Sequence, residues 1–201
     1  MAEISRIVLA TGNHGKLRDF RFLLRDTGIE LSLPIDHGVD LDVEETGTTF
    51  QANALLKARA HAELIDLPIL ADDSGLVVSA LDGRPGVYSA RYAGEPCDDQ
   101  ANNLKVIDEV QGLADRSAAF VAVLALVLPG GREIVAEGRC EGRIVDDERG
   151  TNGFGYDAIF FRDDLGCTFG QATDEQKNAR SHRAAAVADL LAQLRALELV
   201  V

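Results

Sequence analysis

The hydrophobic residues of this chain recur in two spacings, which predict an alternation of strands and helices. Apolar runs of strand length lie at 6–10, 68–71, 118–128 and 133–139. Helical spacing begins after residue 13, recurs through 49–65 and 99–110, and returns near the C-terminus. A Pro-Gly-Gly turn joins the two longest predicted strands into a hairpin. Helices that alternate with strands around a hairpin predict a mixed α/β fold instead of a purely parallel one.

Length and composition are those of an ordinary globular protein. Of its 201 residues, 46% are hydrophobic and 26% are charged, which fits a single domain over 1–201, built as one body or as two closely packed lobes. The longest apolar run, 118–128, is well short of the roughly 20 residues that a membrane-spanning helix needs. The first residues lack the basic and apolar regions of a signal peptide, so we expect a cytoplasmic protein with no membrane partner.

The net charge argues against a nucleic-acid partner, and the cysteine spacing argues against a metal site made of cysteines. The formal net charge of −13 argues against a nucleic-acid partner, because such proteins need a basic face. It leaves room for a small polyanion held by a few convergent cations and a metal. Cys97, Cys140 and Cys167 lack the spacing of a metal site, so we expect reduced thiols.

The first candidate binding segment is Thr11-Gly12-Asn13-His14-Gly15-Lys16, between a predicted strand and a predicted helix. Its glycines allow close approach of a ligand, the helix N-terminus favours an anion, and Lys16 adds a positive charge. The spacing matches neither a Walker A loop nor GxGxxG. The pattern predicts phosphate binding or, alternatively, only a well-formed helix entry.

Acidic residues predict a metal site. Asp72 and Asp73 follow the strand predicted at 68–71, and the apolar pattern resumes only after them. Adjacent carboxylates where a strand ends suit Mg²⁺, with one of them accepting a proton from an attacking water. Glu44-Glu45 forms a second acidic pair, which is either a metal partner or a solvated turn. Asn53 and Lys57 are four residues apart on one predicted helical face and add a second cation, or an ordinary surface pair.

Two later segments carry groups suited to a nucleotide base. Gly153-Phe154-Gly155-Tyr156-Asp157 places aromatic residues between glycines, which is typical of a base-stacking loop or of a packed aromatic loop. Lys177 and the sequence Ser181-His182-Arg183 lie where the last helix is predicted to begin, a position that favours anions.

Taken in order, six segments resemble the inosine triphosphate pyrophosphatase family, the dITP/XTP pyrophosphatases. The matching text is LATGNHGK, EETGTTFQANALLKA, LADDSGL, GRPGVYSARYAG, GFGYD and KNARSHR, and it runs from residue 9 to residue 183. The resemblance implies a two-lobed mixed α/β fold around a long central sheet, with the nucleotide cleft between the lobes. It also implies a homodimer, Mg²⁺ as cofactor, and an enzyme that hydrolyses ITP, dITP and XTP to the monophosphate and pyrophosphate.

The resemblance further assigns roles to individual residues. Asp73 corresponds to the catalytic acid that accepts the proton of water attacking the α-phosphorus, and it shares the metal with Glu45. The residues assigned to the triphosphate and its cleft are Thr11, Gly12, Asn13, His14, Gly15, Lys16, Asn53, Lys57 and Ser74. The residues assigned to the base and sugar are Phe154, Gly155, Tyr156 and Asp157, and those assigned to the purine edge are Lys177, His182 and Arg183.

The chain departs from the family pattern in two places. Ala158 replaces a proline that usually follows the GFGYD aspartate, and 169–172 differs from the usual text before Lys177. We expect both departures to bear on the preference among ITP, dITP and XTP. The alternative functions are a related pyrophosphatase acting on modified pyrimidines or GTP, and a catalytically silent nucleotide-binding module. The DxDx[TV] motif of haloacid-dehalogenase-type phosphatases is missing after the first strand.

Overall fold

The computed structural model describes residues 3–200, which form seven strands and five α-helices. The strands are β1 (Arg6–Ala10), β2 (Glu30–Ser32), β3 (Ile69–Val78), β4 (Ser117–Val127), β5 (Glu133–Ile144), β6 (Phe160–Arg162) and β7 (Cys167–Thr168). The helices are α1 (His14–Leu24), α2 (Phe50–Ala62), α3 (Asp99–Val110), α4 (Asp174–Asn178) and α5 (His182–Ala196). No helix within 3–200 is both long enough and apolar enough to cross a membrane.

All seven strands belong to one sheet in the order β2-β1-β3-β4-β5-β6-β7. β1 pairs in parallel with both β2 and β3, while β6 is antiparallel to β5 and β7. A tight turn, in which Leu128 N donates to Arg132 O at 2.8 Å, joins β4 to its neighbour β5. Parallel and antiparallel pairs in one sheet confirm the mixed α/β fold.

The chain divides into two compact units, with boundaries inside β3, β4 and β5. Unit 1 contains the residues up to Asp73, Ala122–Gly138, and the residues from Arg183 onward. Its core joins β1 to apolar positions of α1 and α5, including Phe20 and Leu190. The predicted apolar stripe of the last helix lies against this core, as its spacing indicated.

Unit 2 contains Ser74–Val121 and Arg139–His182. Its core is rich in aromatic rings: Phe120 lies 4.4 Å from Phe160 between ring centroids, and Phe160 lies 5.4 Å from Phe169. Such pairs stabilise the core beyond the area that they bury.

The predicted interruption of β3 at the acidic pair is wrong, because the strand continues from Ile69 through both acids to Val78. Alternation along a strand directs Asp72 and Asp73 to opposite faces of the sheet. Each carboxylate finds polar partners on its own face, so the strand continues without leaving a buried charge uncompensated. The sequence pattern also missed α4, whose five residues are too few for helical periodicity to show.

Candidate active site

The loop between β1 and α1 holds the residues predicted to bind phosphate, and it is organised as a helix cap. Asn13 Oδ1 accepts a hydrogen bond from Lys16 N at 3.1 Å, and Thr11 Oγ1 accepts one from Asn13 N at 3.1 Å. Residues 12–14 are exposed and Gly15 is half-buried. An accessible helix N-terminus with further backbone N–H groups in its first turn is suited to an anion.

Four charged side chains of unit 1 form a network beside this loop. Lys16 Nζ lies 2.5 Å from Asp72 Oδ1, and Arg183 Nε lies 3.6 Å from Asp72 Oδ2. Arg183 Nη1 also donates to Asp19 Oδ2 at 3.2 Å. Asp19, Asp72 and Arg183 are buried. The Asp72 carboxylate therefore compensates the buried Arg183 and the half-buried Lys16.

The second acid of the pair has a different environment. Lys57 Nζ donates to Glu45 Oε1 at 2.6 Å and lies 3.9 Å from Asp73 Oδ1. Asn53 Nδ2 donates to Asp73 Oδ2 at 3.0 Å. Asn53 and Lys57 share one face of α2, as their spacing predicted. Four of the predicted site residues thus converge within unit 1.

Asn53 also ties the acidic loop to this group. Its Oδ1 accepts a hydrogen bond from Gly47 N at 2.7 Å, and a Cβ added at Gly47 would lie 2.5 Å from that oxygen. Gly47 is therefore needed for the close approach. Glu45 is half-buried against Lys57, whereas Glu44 is exposed. This geometry favours Glu45 over Glu44, a choice that residue types alone left open.

The electrostatics of the two neighbouring acids differ. Burial raises the pKa of Asp73 above its usual range, and the Glu45 carboxylate adds to the effect while Lys57 opposes it. Burial alone would also raise the pKa of Asp72, but Lys16 and the neighbouring guanidinium outweigh it and hold that pKa well below its usual range. Asp73 is therefore the better proton acceptor of the two.

The donor set around Asp73 fits a divalent cation. The Lys57 ammonium lies within 4 Å of carboxylate oxygens of both Glu45 and Asp73, so these oxygens already surround one positive charge. Hard carboxylate oxygens are the donors that Mg²⁺ prefers, and it commonly uses one or two of them together with water and substrate phosphates. Within residues 3–200, no group of three or more His, Cys, Asp or Glu side chains is arranged to hold a metal.

The predicted base-binding loop lies in unit 2 and is held by a buried ion pair. Asp157 Oδ2 accepts hydrogen bonds from Phe154 N at 2.9 Å and from Lys177 Nζ at 2.6 Å. The Lys177 ammonium lies 4.8 Å from the centroid of the Phe154 ring. Asp157 and Lys177 are buried, whereas Phe154 is half-buried. Phe154 is therefore the accessible aromatic ring of this loop.

Tyr156, in the same loop, packs inside the protein and helps to hold the loop in position. It is buried, and its hydroxyl donates to Ser89 O at 2.7 Å. Ser89 Oγ accepts from Leu76 N at 2.9 Å, and a Cβ at Gly75 would overlap the same oxygen. Ser89 thus links Tyr156 to the part of β3 that directly follows Ser74, which is itself half-buried.

The residues predicted to read the purine edge are divided between the two units. Lys177 and His182 belong to unit 2, and the His182 ring stacks on Phe120 with centroids 4.8 Å apart. Arg183 belongs to unit 1, where it contacts Asp19 and Asp72.

Helix α3 also holds the loop 153–157, through hydrogen bonds to Gly155. Gly155 N donates to Asp99 Oδ2 at 2.7 Å, and Asn103 Nδ2 donates to Gly155 O at 3.2 Å and to Glu148 Oε1 at 2.7 Å. Neither Asp99 nor Asn103 belongs to a motif of the sequence, although their four-residue spacing places them on one helical face. The same is true of Asp19, which lies three residues after Lys16 on α1 and so shares its face.

The two departures from the family pattern pack against each other in unit 2. Gly170 N donates to Asp157 O at 2.7 Å, and Arg149 N donates to Ala158 O at 2.8 Å. A Cβ at Gly170 would lie 2.8 Å from the Ala158 Cα, so only glycine fits without a shift. The altered residues therefore support the loop that carries Phe154.

The fold and the site define a class of protein: a mixed α/β protein in which carboxylates and ammonium groups converge beside an accessible helix N-terminus. The Ham1 family model matches residues 7–193, and the chain belongs to this family. It is 48% identical over 187 residues to the dITP/XTP pyrophosphatase of Geobacter sulfurreducens, covering 92% of this chain and 94% of that protein. The resemblance inferred from the six segments is confirmed.

Solved structures agree with this assignment. A HAM1 protein from Coxiella burnetii superposes with a TM-score of 0.86 at 41% identity, covering 97% of this chain and 99% of that one. The Staphylococcus aureus Ham1 protein gives 0.85 at 43% identity, covering 95% and 98%. The whole mixed α/β fold is therefore shared with these proteins.

Proposed function

We propose that this protein hydrolyses the non-standard purine nucleoside triphosphates ITP, dITP and XTP to the monophosphate and pyrophosphate, which removes them from the nucleotide pool. The observation that carries the proposal is the convergence of Glu45, Asn53, Lys57 and Asp73. The names of relatives such as the dITP/XTP pyrophosphatase of Geobacter sulfurreducens support the substrate class.

In this proposal the phosphates bind in unit 1. Backbone N–H groups of the loop 11–16 and the Lys16 and Lys57 ammonium groups neutralise the substrate charge, and Ser74 adds a polar contact. Mg²⁺, held by Glu45 and Asp73, supplies further charge neutralisation on the phosphate oxygens when it is bound. Positioning and electrostatic stabilisation account for most of the rate enhancement in phosphate-anhydride cleavage, and these groups supply both in this proposal.

Asp73 accepts the proton from the water that attacks the α-phosphorus. In the metal-free site, burial and the neighbouring Glu45 raise the pKa of Asp73 above its usual range. Asn53 holds the second carboxylate oxygen through its amide, so the orientation of the acid is fixed before substrate binds. The bond to the pyrophosphate leaving group then breaks, and the nucleoside monophosphate remains.

The base and sugar bind to the loop 154–157, which lies in unit 2. Phe154 offers a ring face, and the backbone of 154–157 offers polar groups. Lys177, His182 and Arg183 direct donors at the 6-oxo group that hypoxanthine and xanthine carry and adenine lacks. A donor left unpaired against adenine costs about 1–3 kcal/mol, which is the basis of the selectivity.

Two further properties complete the proposal. We propose that the protein acts in the cytoplasm, which the free thiols of Cys97, Cys140 and Cys167 support because reducing compartments preserve them. We also propose a homodimer, on the family resemblance; light scattering after size exclusion tests it by giving twice the mass of one chain.

Product analysis tests the reaction. The protein is incubated with Mg²⁺ and, separately, ITP, XTP, dITP, GTP and ATP, and the products are separated by anion exchange. We expect monophosphate and pyrophosphate from ITP, XTP and dITP, with much slower turnover of ATP. Diphosphate with orthophosphate would contradict the scissile bond, and faster turnover of GTP or modified pyrimidines would favour that rival. Tight binding of every nucleotide without turnover would favour the silent module.

Substitution of the acids tests the mechanism. Asp73→Asn should lower kcat for ITP by about 10²–10⁴-fold, the typical contribution of general-base catalysis, while calorimetry still detects ITP binding. Glu45→Gln should raise the Mg²⁺ concentration needed for half-maximal rate. Glu44→Gln is the matched control, because Glu44 is exposed, and it should leave both quantities unchanged. Near-native turnover by Asp73→Asn would exclude Asp73 as the proton acceptor.

A further inference from the structure

We propose that Asp99 and Asn103 of α3 are positioning residues that fix the Phe154–Asp157 loop and thereby set the affinity for the purine base. The inference rests on the proposed function, since it assumes that this loop binds a base. It adds two residues outside the six segments that suggested the function.

Two side chains of α3 form hydrogen bonds to the backbone of a single residue, Gly155. The Gly155 N–H donates to Asp99 Oδ2 at 2.7 Å, and the Gly155 carbonyl accepts from Asn103 Nδ2 at 3.2 Å. Asp99 and Asn103 are one helical turn apart, so one rigid element holds the peptide groups on both sides of the Gly155 Cα. Gly155 has φ of +59°, in the left-handed region where glycine is the favoured residue. The backbone at the most permissive position of the loop is thus restrained.

The restrained peptide group directs the Phe154 ring. The Phe154 carbonyl and the Gly155 N–H share one planar peptide unit, so a bond to that N–H fixes the orientation of the Phe154 backbone. On the other side, Phe154 N donates to Asp157 Oδ2 at 2.9 Å. The half-buried Phe154 side chain is therefore presented from a backbone that is fixed at both ends.

Asn103 is held in place by more than the loop. Its Nδ2 also donates to Glu148 Oε1 at 2.7 Å, so both amide hydrogens have acceptors. The side chain is buried, and its Oδ1 has no hydrogen-bond partner within residues 3–200. Burying an unpaired acceptor costs stability, so an apolar residue would serve packing alone better. The amide is needed for its two donors.

The role of Asp99 can be tested against that of Asp98, a second acid at the same helix N-terminus. Asp98 caps α3 by accepting a hydrogen bond from Ala101 N at 3.1 Å, and Asp99 is the first helical residue. Both are exposed acids at the same helix N-terminus. Asp98→Ala and Asp99→Ala therefore remove the same charge from the same helix end, but only the second releases Gly155.

The experiment compares Asp99→Ala, Asp99→Asn and Asp98→Ala with the native enzyme, using ITP and ATP as substrates and tripolyphosphate as a base-free inhibitor. For Asp99→Ala we expect KM for ITP to rise about tenfold with kcat unchanged, because base stacking contributes to ground-state and transition-state binding equally. Tenfold corresponds to about 1.4 kcal/mol. KM for ATP should rise by a similar factor, so that the ITP-to-ATP ratio of kcat/KM stays nearly constant, because a ring face stacks on either base. Inhibition by tripolyphosphate, which has no base, should not change.

The conservative variant and the control separate positioning from folding. Asp99→Asn keeps an oxygen acceptor and should restore KM to within about threefold of the native value. Asp98→Ala should lower the melting temperature, as cap removal does, and leave KM unchanged. Equal KM changes in Asp98→Ala and Asp99→Ala, or no change in either, would overturn the inference. Lack of ITP hydrolysis by the native protein would instead overturn the proposed function, so the two failures are distinguishable.

Discussion

Asp72 and Asp73 are adjacent in the chain, yet their carboxylates have different partners. The Asp72 carboxylate, whose side chain has no exposed surface, neutralises Lys16 and Arg183. Asp72→Asn would leave two cations beside a neutral amide, and removing one partner of a buried ion pair costs about 3–5 kcal/mol. We expect the free energy of unfolding to fall by that amount. Urea denaturation followed by circular dichroism measures it, since the chain has no tryptophan.

The control for this prediction is Asp26→Asn. The Asp26 side chain is 86% exposed and pairs only with the exposed Arg25 within the described part of the chain. Solvent weakens such a pair, so the free energy of unfolding should change by less than about 0.5 kcal/mol. A similar small loss in both variants would show that Asp72 does not compensate the buried cations.

Residue types alone led to a hypothesis about the chemistry of this site without assigning the roles of individual acids. The text around Asp72, Asp73, Glu44 and Glu45 predicted a metal and a proton acceptor, but only the family resemblance chose among the acids. The choice depends on which ammonium or amide faces each carboxylate, and contacts between α1, α2 and β3 decide that. Such contacts are far apart in sequence, so local patterns do not reveal them.

At the scale of elements, hydrophobic periodicity predicted the four longer helices, missed α4 and ended β3 too early. The helix predicted at 49–65 is observed as Phe50–Ala62, with Thr49 as its N-cap. β3 was predicted to end before the acids because buried strands of this kind are usually apolar throughout. The strand tolerates two acids because Lys16 and Asn53 approach them from other elements. A polar interruption in an apolar run therefore did not mark an element boundary.

The loop 149–158 depends on a glycine that makes a close contact. Gly150 has φ of +83°, and a Cβ there would overlap the carbonyl oxygen of Gly170. Gly150→Ala should therefore incur the strain of a left-handed alanine, about 1–2 kcal/mol, and a further 1–3 kcal/mol or so from overpacking. Urea denaturation measures the sum, and the KM for ITP should rise as the loop shifts.

Gly130 provides the matched comparison. It has φ of +89°, and a Cβ there would meet no atom within 4 Å. Gly130→Ala should thus show the conformational strain without the steric overlap, and it should leave KM unchanged. If the two alanine variants were equally stable, the contact between Gly150 and Gly170 would contribute nothing to the loop.

At the scale of the whole molecule, the six recognised segments supply the candidate chemistry, and other residues hold it in place. Asp19, Asp99 and Asn103 lie outside those segments and contact candidate site residues through hydrogen bonds, yet the sequence alone did not single them out. Polar residues on a predicted helix or loop are usually solvated, so their type carries no signal. Only the fold shows which of them are directed at the site.

The stability of the whole chain should depend on pH through Asp72. Burial opposes ionisation, but Lys16 and Arg183 hold the pKa of Asp72 below its usual range. An acid with a depressed folded-state pKa stabilises the protein fully above its unfolded-state pKa of about 3.9, and this stabilisation is lost as pH falls towards the folded-state value. The difference in unfolding free energy between the native chain and Asp72→Asn should therefore stay constant from about pH 7 to pH 5. By about pH 3 it should shrink by roughly 1 kcal/mol.

Urea denaturation across this range measures both proteins, with Asp26→Asn as the reference that should show no such narrowing. A difference that persists unchanged at pH 3 would mean that folding does not lower the pKa of Asp72, and the assignment of its carboxylate to the buried cations would then be wrong.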